Sequence, residues 1–254
     1  MLEFVVIVES SADARTATKL AERVLVERIE WLESELLQNL FQWSGLEAGT
    51  EHSCWKDISV IVDRAKQAGL RIPKFLGHTK TGALKADGAA AMKILNLIRV
   101  LQKTRPIRAI LFIRDLDNQS ERREGIEQAR SEHFDRQPKL EIVIGAANRM
   151  REAWVLNGFV ASHEETRLLE EIKARLTFDP CEEPHKLRSN SWEEPDRHRN
   201  PKVVLESLTS GNYLREQQCW EETSLEILQA RGIHTGLSAY LQEVEKRLVS
   251  IILE

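Results

Sequence analysis

The run Ala109-Ile110-Leu111-Phe112-Ile113, followed at once by Arg114-Asp115-Leu116-Asp117-Asn118, limits the fold more than any other stretch of the chain. Consecutive apolar residues, β-branched and aromatic among them, read as a strand buried on both faces, which belongs to a parallel sheet covered by helices. The run then breaks into two acids separated by one residue. In an extended chain residues i and i+2 point the same way, so Asp115 and Asp117 can present their carboxylates to one point. Open α/β sheets keep their chemistry at the carboxyl ends of strands, and crowded carboxylates suit a hard divalent ion such as Mg²⁺ or Mn²⁺. Taken alone, the pair is better read as a strand end and a helix cap. A second strand changes the balance: Leu2-Glu3-Phe4-Val5-Val6-Ile7-Val8 is also apolar and also breaks at an acid, Glu9. Ser10, Ser11 and Asp13 then offer caps for a long helix. Two buried parallel strands ending in acids place Glu9, Asp115 and Asp117 on one rim of a sheet.

The rest of the chain alternates in the same manner. Helical spacing predicts a helix over about 12–41, a loop over 43–55, a helix over 58–69 and a short edge strand over 71–76, where Pro73 cannot donate to a central ladder. A helix over 89–101 precedes the acidic strand, a charged helix over about 120–134 follows it, and 140–145 forms the last strand, with a helix from about 148. Beyond about residue 160 the texture becomes helical, at roughly 164–176, 202–208, 213–229 and 236–251, around an irregular insert over 179–201 rich in proline and charge. The expected architecture is a parallel-rich α/β core over residues 1–160, its sheet flanked by helices, with a mainly helical extension over 161–254.

Composition excludes some classes. A net charge of −4 over 254 residues argues against a broad, nonspecific nucleic-acid surface, though it leaves room for a local basic channel. No apolar stretch reaches the roughly 20 residues that span a bilayer, so no membrane partner is expected, and the start lacks the basic region of a signal peptide. Cys54, Cys181 and Cys219 are an odd set without paired spacing, which points to a reducing cytoplasm. A zinc site from Cys181, His185, His198 and Cys219 lacks any CxxC or HxxxH pair. There is no Walker A motif and no GxGxxG, so nucleotide hydrolysis must come from another subunit.

Val8-Glu9-Ser10, residues 80–85, Arg114-Asp115-Leu116-Asp117, Ala147-Asn148-Arg149-Met150-Arg151-Glu152-Ala153-Trp154 and Asn200-Pro201-Lys202 carry a resemblance. An acid after the first strand with Asp-x-Asp after a later one resembles the TOPRIM domain of topoisomerases, primases and overcoming-lysogenization-defect nucleases. The likeness is closer to a bacterial TOPRIM-related family often encoded beside ABC-type ATPases. It spans roughly residues 3–208, and Arg-x-x-Glu-Ala-Trp is its distinctive part. The chain departs from that family after Trp154, where a small residue and an aspartate are replaced within Val155-Leu156-Asn157-Gly158.

The resemblance implies a TOPRIM-like fold and a Mg²⁺- or Mn²⁺-dependent nuclease acting with an ABC- or SMC-like ATPase, in bacterial anti-phage defence, on DNA or RNA. Glu9 serves in that reading as ligand or general base, Asp115 and Asp117 as ligands, and Glu152 completes the ring. Lys80 and Lys85, which flank Thr81-Gly82, and Arg149 are the phosphate contacts. Glu152 fits a first-turn acid on a helix dipole equally well, and such lysines are more often simply solvated. Trp192, among Arg188, Arg197, Arg199 and Lys202, suits stacking on a single strand, against the simpler reading of a solvated loop. The absent aspartate sustains an alternative, a TOPRIM-like subunit that binds or gates a partner without cutting. A phospho-accepting receiver ranks last, because Glu9 stands alone and Gly145-Ala146-Ala147 offers no lysine.

Overall fold

A computed structural model describes all residues except 74–77 and 80–81; of 78 and 79 it gives the backbone only. The chain divides into two compact units, Met1–Ala146 with Glu243–Glu254, and Ala147–Gln242.

The first unit is built on a parallel sheet. Strand β1 (Leu2–Val8) leads through a serine-capped turn into α1 (Ser11–Arg28), then a short α2 (Leu37–Leu40) and β2 (Phe41–Ser44). Strand β3 (Ser53–Cys54), α3 (Ile58–Gln67), the small hairpin β4 (His78–Thr79) and β5 (Gly82–Ala83), and α4 (Gly88–Leu101) come next. Strand β6 (Ile107–Asp115), α5 (Glu121–His133) and β7 (Glu141–Ala147) complete it. The order is β2-β1-β6-β7, with β3 also pairing β1. β1 lies parallel to β2, β3 and β6, and the register sets Ile7 opposite Phe112. The two acid-terminated strands are therefore direct neighbours with their carboxyl ends on one rim.

Both faces of the sheet are dry. Val5, Ile7, Ile110, Phe112, Ile142 and Ile144 pack in one cluster with Ile58 and Ile61 of α3, Ile94 and Leu95 of α4, and Ile126 and Ala129 of α5. The alternate residues Phe4, Val6, Val8, Ala109, Leu111 and Val143 are buried as well. They belong to the opposite face, where α1 runs back along β1 with Ala17, Leu20, Ala21 and Val24 buried. Alternation with burial on both sides is what the continuous apolar runs demanded.

The expected first helix is too long. α1 ends at Arg28, where Ile29 turns extended (φ −116°, ψ 101°) and buries itself. Phe41-Gln42-Trp43 instead forms an edge strand whose rings meet Phe4, at 4.4 Å for Phe41 and 5.7 Å for Trp43. That aromatic cluster outweighs the helical spacing of the preceding residues. The expected loop over 43–55 holds the end of β2 and the two residues of β3. Of the edge strand expected over 71–76, residues 71–73 are not strand and 74–76 lie outside the described residues.

The second unit is helical: α6 (Arg151–Asn157), α7 (His163–Leu176), α8 (Pro201–Thr209), α9 (Tyr213–Glu221), α10 (Leu225–Arg231) and the first turns of α11 (Leu237–Leu253). The helix expected over 213–229 is two. Thr223 donates its hydroxyl to Gly158 O at 2.6 Å, and the Ser224 side chain caps a new start. Trp154 stacks on Tyr240 at 5.1 Å and donates its indole N–H to Thr235 O at 2.8 Å. Asn157, fully buried, accepts from the Thr235 hydroxyl at 2.6 Å and donates to Cys181 O at 3.1 Å. Among the described residues no helix is long and apolar enough to cross a membrane.

Candidate functional site

The rim between β1 and β6 is the point where the sheet reverses its winding. The connection after β1 goes to α1 on one face, and the connection after β6 goes to α5 on the other. At such a switch the two connections part and leave a crevice outside the strand ends. Glu9 follows β1, Asp115 ends β6, and Asp117 comes two residues later.

The chain bends sharply there. Asp117 and Asn118 take left-handed conformations (φ 46° and 65°), and so does Asp87 (φ 62°) just before α4. Side-chain oxygens that bond locally make Asp and Asn the residues best able to tolerate this region. The turn at Asp87 is fixed by packing of backbone on backbone. Gly88 at the start of α4 faces Gly125 of α5, and a Cβ on Gly125 would lie 2.1 Å from Ala86 O.

Two arginines bind this rim together. Arg114 donates from Nη1 to Glu9 Oε1 at 2.7 Å and from Nε to Asp87 Oδ2 at 2.7 Å. Its guanidinium lies 5.4 Å from the Trp55 ring centre, a cation–π distance. Trp55 in turn stacks on Phe112 and donates its indole N–H to Ile113 O at 2.8 Å. Arg122, in the first turn of α5, donates from Nη1 to Asp115 O at 2.8 Å and to Asp117 Oδ2 at 3.0 Å. The same guanidinium lies 3.9 Å from Glu9 Oε1 and 3.8 Å from Asp87 Oδ2. Glu9, Asp87 and Asp117 thus share two cations. Burial raises the Glu9 carboxyl above its ordinary value; Arg114 pulls it back, and Asp117 and Asp13 push it further up.

The structure therefore gathers Glu9, Asp115 and Asp117 on one rim and adds Asp87, Arg114 and Arg122, which the sequence reading did not select. Lys85 is exposed and ion-paired with Glu124, and its backbone N–H donates to Gln128 Oε1 at 2.9 Å. Lys80 lies outside the described residues. Glu152 and Arg149 belong to the second unit. Glu152 sits in the first turn of α6, 3.6 Å from the Arg151 guanidinium. Arg149 is 2% exposed, takes φ 75°, and donates to Asn190 Oδ1 at 2.8 Å. At Gly158 a Cβ would come within 1.9 Å of Cys219 O, so the backbone leaves no room for a side chain there.

The insert over 179–201 is tied down. Ser189 N–H donates to Arg199 O at 3.1 Å, and the Asn200 amide donates to Ser191 O at 3.0 Å, while Trp192 stays 55% exposed. Cys181 and Cys219 are buried thiols, Cys219 pushed up to about 12 by burial. His185 meets His234 with ring centres 4.7 Å apart.

No protein-family model, curated protein or solved structure matches the chain.

The acids of the rim offer oxygen donors, the chemistry that suits Mg²⁺ or Mn²⁺. As arranged, its acids face guanidinium groups, and among the described residues no three His, Cys, Asp or Glu side chains converge as a metal-holding group. The donor chemistry fits a hard cation, whereas the geometry requires the carboxylates to turn from the arginines toward it.

Proposed function

We propose that the chain is a TOPRIM-like, divalent-metal-dependent phosphodiester hydrolase acting on DNA or RNA with an ABC- or SMC-like ATPase partner in anti-phage defence. The observation that supports it is the placing of Glu9 and Asp115 at the carboxyl ends of two adjacent parallel strands, with Asp117 in the turn just beyond, where the sheet changes its winding. Asp115 and Asp117 would hold the ion, with Glu9 beside them. The ion when bound supplies charge neutralisation at the phosphate and a lowered pKa for attacking water. Glu9 would serve beside the ion as a further ligand or as the acceptor of a proton from water. Arg114 holds Glu9 in place, and the Trp55 ring holds Arg114.

The test presents the full chain, with and without its partner ATPase, with linear DNA, supercoiled DNA and transfer RNA in Mn²⁺. Mn²⁺ at a hundredfold excess over Kd should add about 2.7 kcal/mol of stability, several degrees in Tm for a chain of this size. Asp115→Ala and Asp117→Ala should remove that shift together with cleavage. Cleavage that persists in both variants comes from a contaminant and sinks the assignment.

A second reading, a subunit that binds or gates its partner without cutting, draws on the stretch Val155-Leu156-Asn157-Gly158, which carries no aspartate after Trp154 where the resembling family has one. A wild-type chain with neither metal shift nor cleavage under any partner condition would select it.

A further inference from the structure

The way the rim's acids share their cations is informative. Glu9, Asp87 and Asp117 are served by two guanidinium groups, so each arginine is divided between acids. Neither is a loosely tethered surface side chain: both are 16% exposed. Arg114 rests on a tryptophan whose own indole is fixed to Ile113 O. Arg122 is anchored by its bond to Asp115 O, the last carbonyl of β6. The guanidinium groups thus stand where positive charge is needed, on the same oxygens that a hard cation would take.

We propose that Arg114 and Arg122 are built-in counter-ions of this rim, and that a divalent cation binds by displacing a guanidinium from Glu9 or Asp117. The inference rests on the metal-dependent reading above and adds its regulation. A doubly charged ion and a guanidinium on one carboxylate repel each other at this short range. Metal affinity is therefore set by competition within the chain. Anything that draws the arginines away, a substrate phosphate above all, favours the ion. The metal and a phosphate then load together, and the empty chain stays latched. An arginine with a purely structural role predicts the opposite sign, since its loss would let the acids splay and weaken binding.

The test is Mn²⁺ affinity of the full chain, read by titration calorimetry and by the electron-spin signal of free Mn²⁺. Arg114→Gln and Arg122→Gln should each bind Mn²⁺ about tenfold tighter than wild type, because a competing charge has gone. Arg114→Lys keeps the charge and should stay close to wild type, even though it cannot bridge Glu9 and Asp87. Arg28→Gln, which removes a surface partner of Glu245, should change nothing. Unchanged or weaker binding in both glutamine variants, with wild type binding normally, overturns the latch and leaves the metal site standing. Tightening in Arg114→Lys equal to that in Arg114→Gln also overturns it, since charge would not be the cause. Absence of Mn²⁺ binding from all of these proteins removes the latch and the metal-dependent reading together.

Discussion

Each end of β1 carries a glutamate held by an arginine from the β6 segment, and the two bridges are built differently. At the amino end Glu3, 8% exposed, takes Arg105 Nε at 2.9 Å and its Nη2 as well. The remaining Arg105 donors go to Leu46 O at 2.8 Å, Gly45 O at 2.9 Å and Ser44 Oγ at 3.2 Å. One acid meets one base, and the base spends its donors locking the segment after β2 against the start of the sheet. At the carboxyl end three acids share two arginines, Glu9 keeps a third of its side chain in solvent, and the backbone takes left-handed turns. A buried pair matched one to one serves assembly. A half-open cluster in which several acids share their cations is the arrangement that functional sites favour.

The largest expected effect is at the upper end. Asp115→Asn or Asp117→Asn should lower cleavage at least about a thousandfold, roughly 4 kcal/mol of barrier, while leaving Tm level or raised. A variant that loses its Tm in step with its activity would put the aspartates in the same class as Glu3. Next comes the lower end. Arg105→Gln leaves Glu3 buried and unpaired, about 3 kcal/mol and on the order of 10 °C in Tm. Arg114→Gln should cost less than a third of that, because Glu9 and Asp87 keep Arg122 and solvent. Equal losses in the two variants would dissolve the contrast.

Acid sensitivity should also come from the lower end. His133, where α5 hands the chain on toward β7, is 1% exposed, and neither ring nitrogen has a hydrogen-bond partner among the described residues. Burial lowers its pKa to about 3, helped by the Arg136 and Arg99 cations. The folded state resists a proton that the unfolded chain takes up below about 6.5, so stability should fall as pH drops from there toward 3. His133→Gln should flatten that slope in pH-dependent melting; an unchanged slope would place the sensitivity elsewhere. A further contrast separates the glutamates themselves. Glu9 is raised, so its charge costs the fold something at neutral pH, and Glu9→Gln should be level or slightly stabilising. Glu3→Gln should be destabilising by about 1–2 kcal/mol, because it leaves Arg105 with a neutral partner.

The parts of this picture that a sequence can carry are those coded locally. Apolar runs that stop at acids gave both central strands, whereas the period-two argument does not reach Asp117, which lies beyond the end of β6 in a left-handed turn. Parallel pairing then follows from burial on both faces. Phe41-Gln42-Trp43 alternated in the manner of a strand, yet the helical spacing before it masked the signal until Phe4 stood opposite. Asp87, Arg114 and Arg122 were not legible as a group. Arg114 follows the apolar run, Arg122 opens a charged helix, and Asp87 precedes a glycine before a helix. Each has an ordinary local explanation, and only tertiary packing brings them to the same carboxylates. The break at Thr223 was hidden for a similar reason, since its hydroxyl answers a carbonyl 65 residues away.

Gly125 gives the rim a mechanical property. Its missing side chain lets the turn before α4 press its backbone onto α5, three residues beyond Arg122, and that contact sets how far Asp87 stands from the arginines. The spacing of the charges is thus controlled from outside the charged residues, by a spacer of zero thickness on the far side of the turn. A methyl group there acts as a wedge: it shifts Asp87 outward while every charged residue remains in the sequence. In a library of random substitutions, position 125 should behave as a tuning screw for the rim, a nonpolar place where a single carbon atom changes how tightly the two arginines are held.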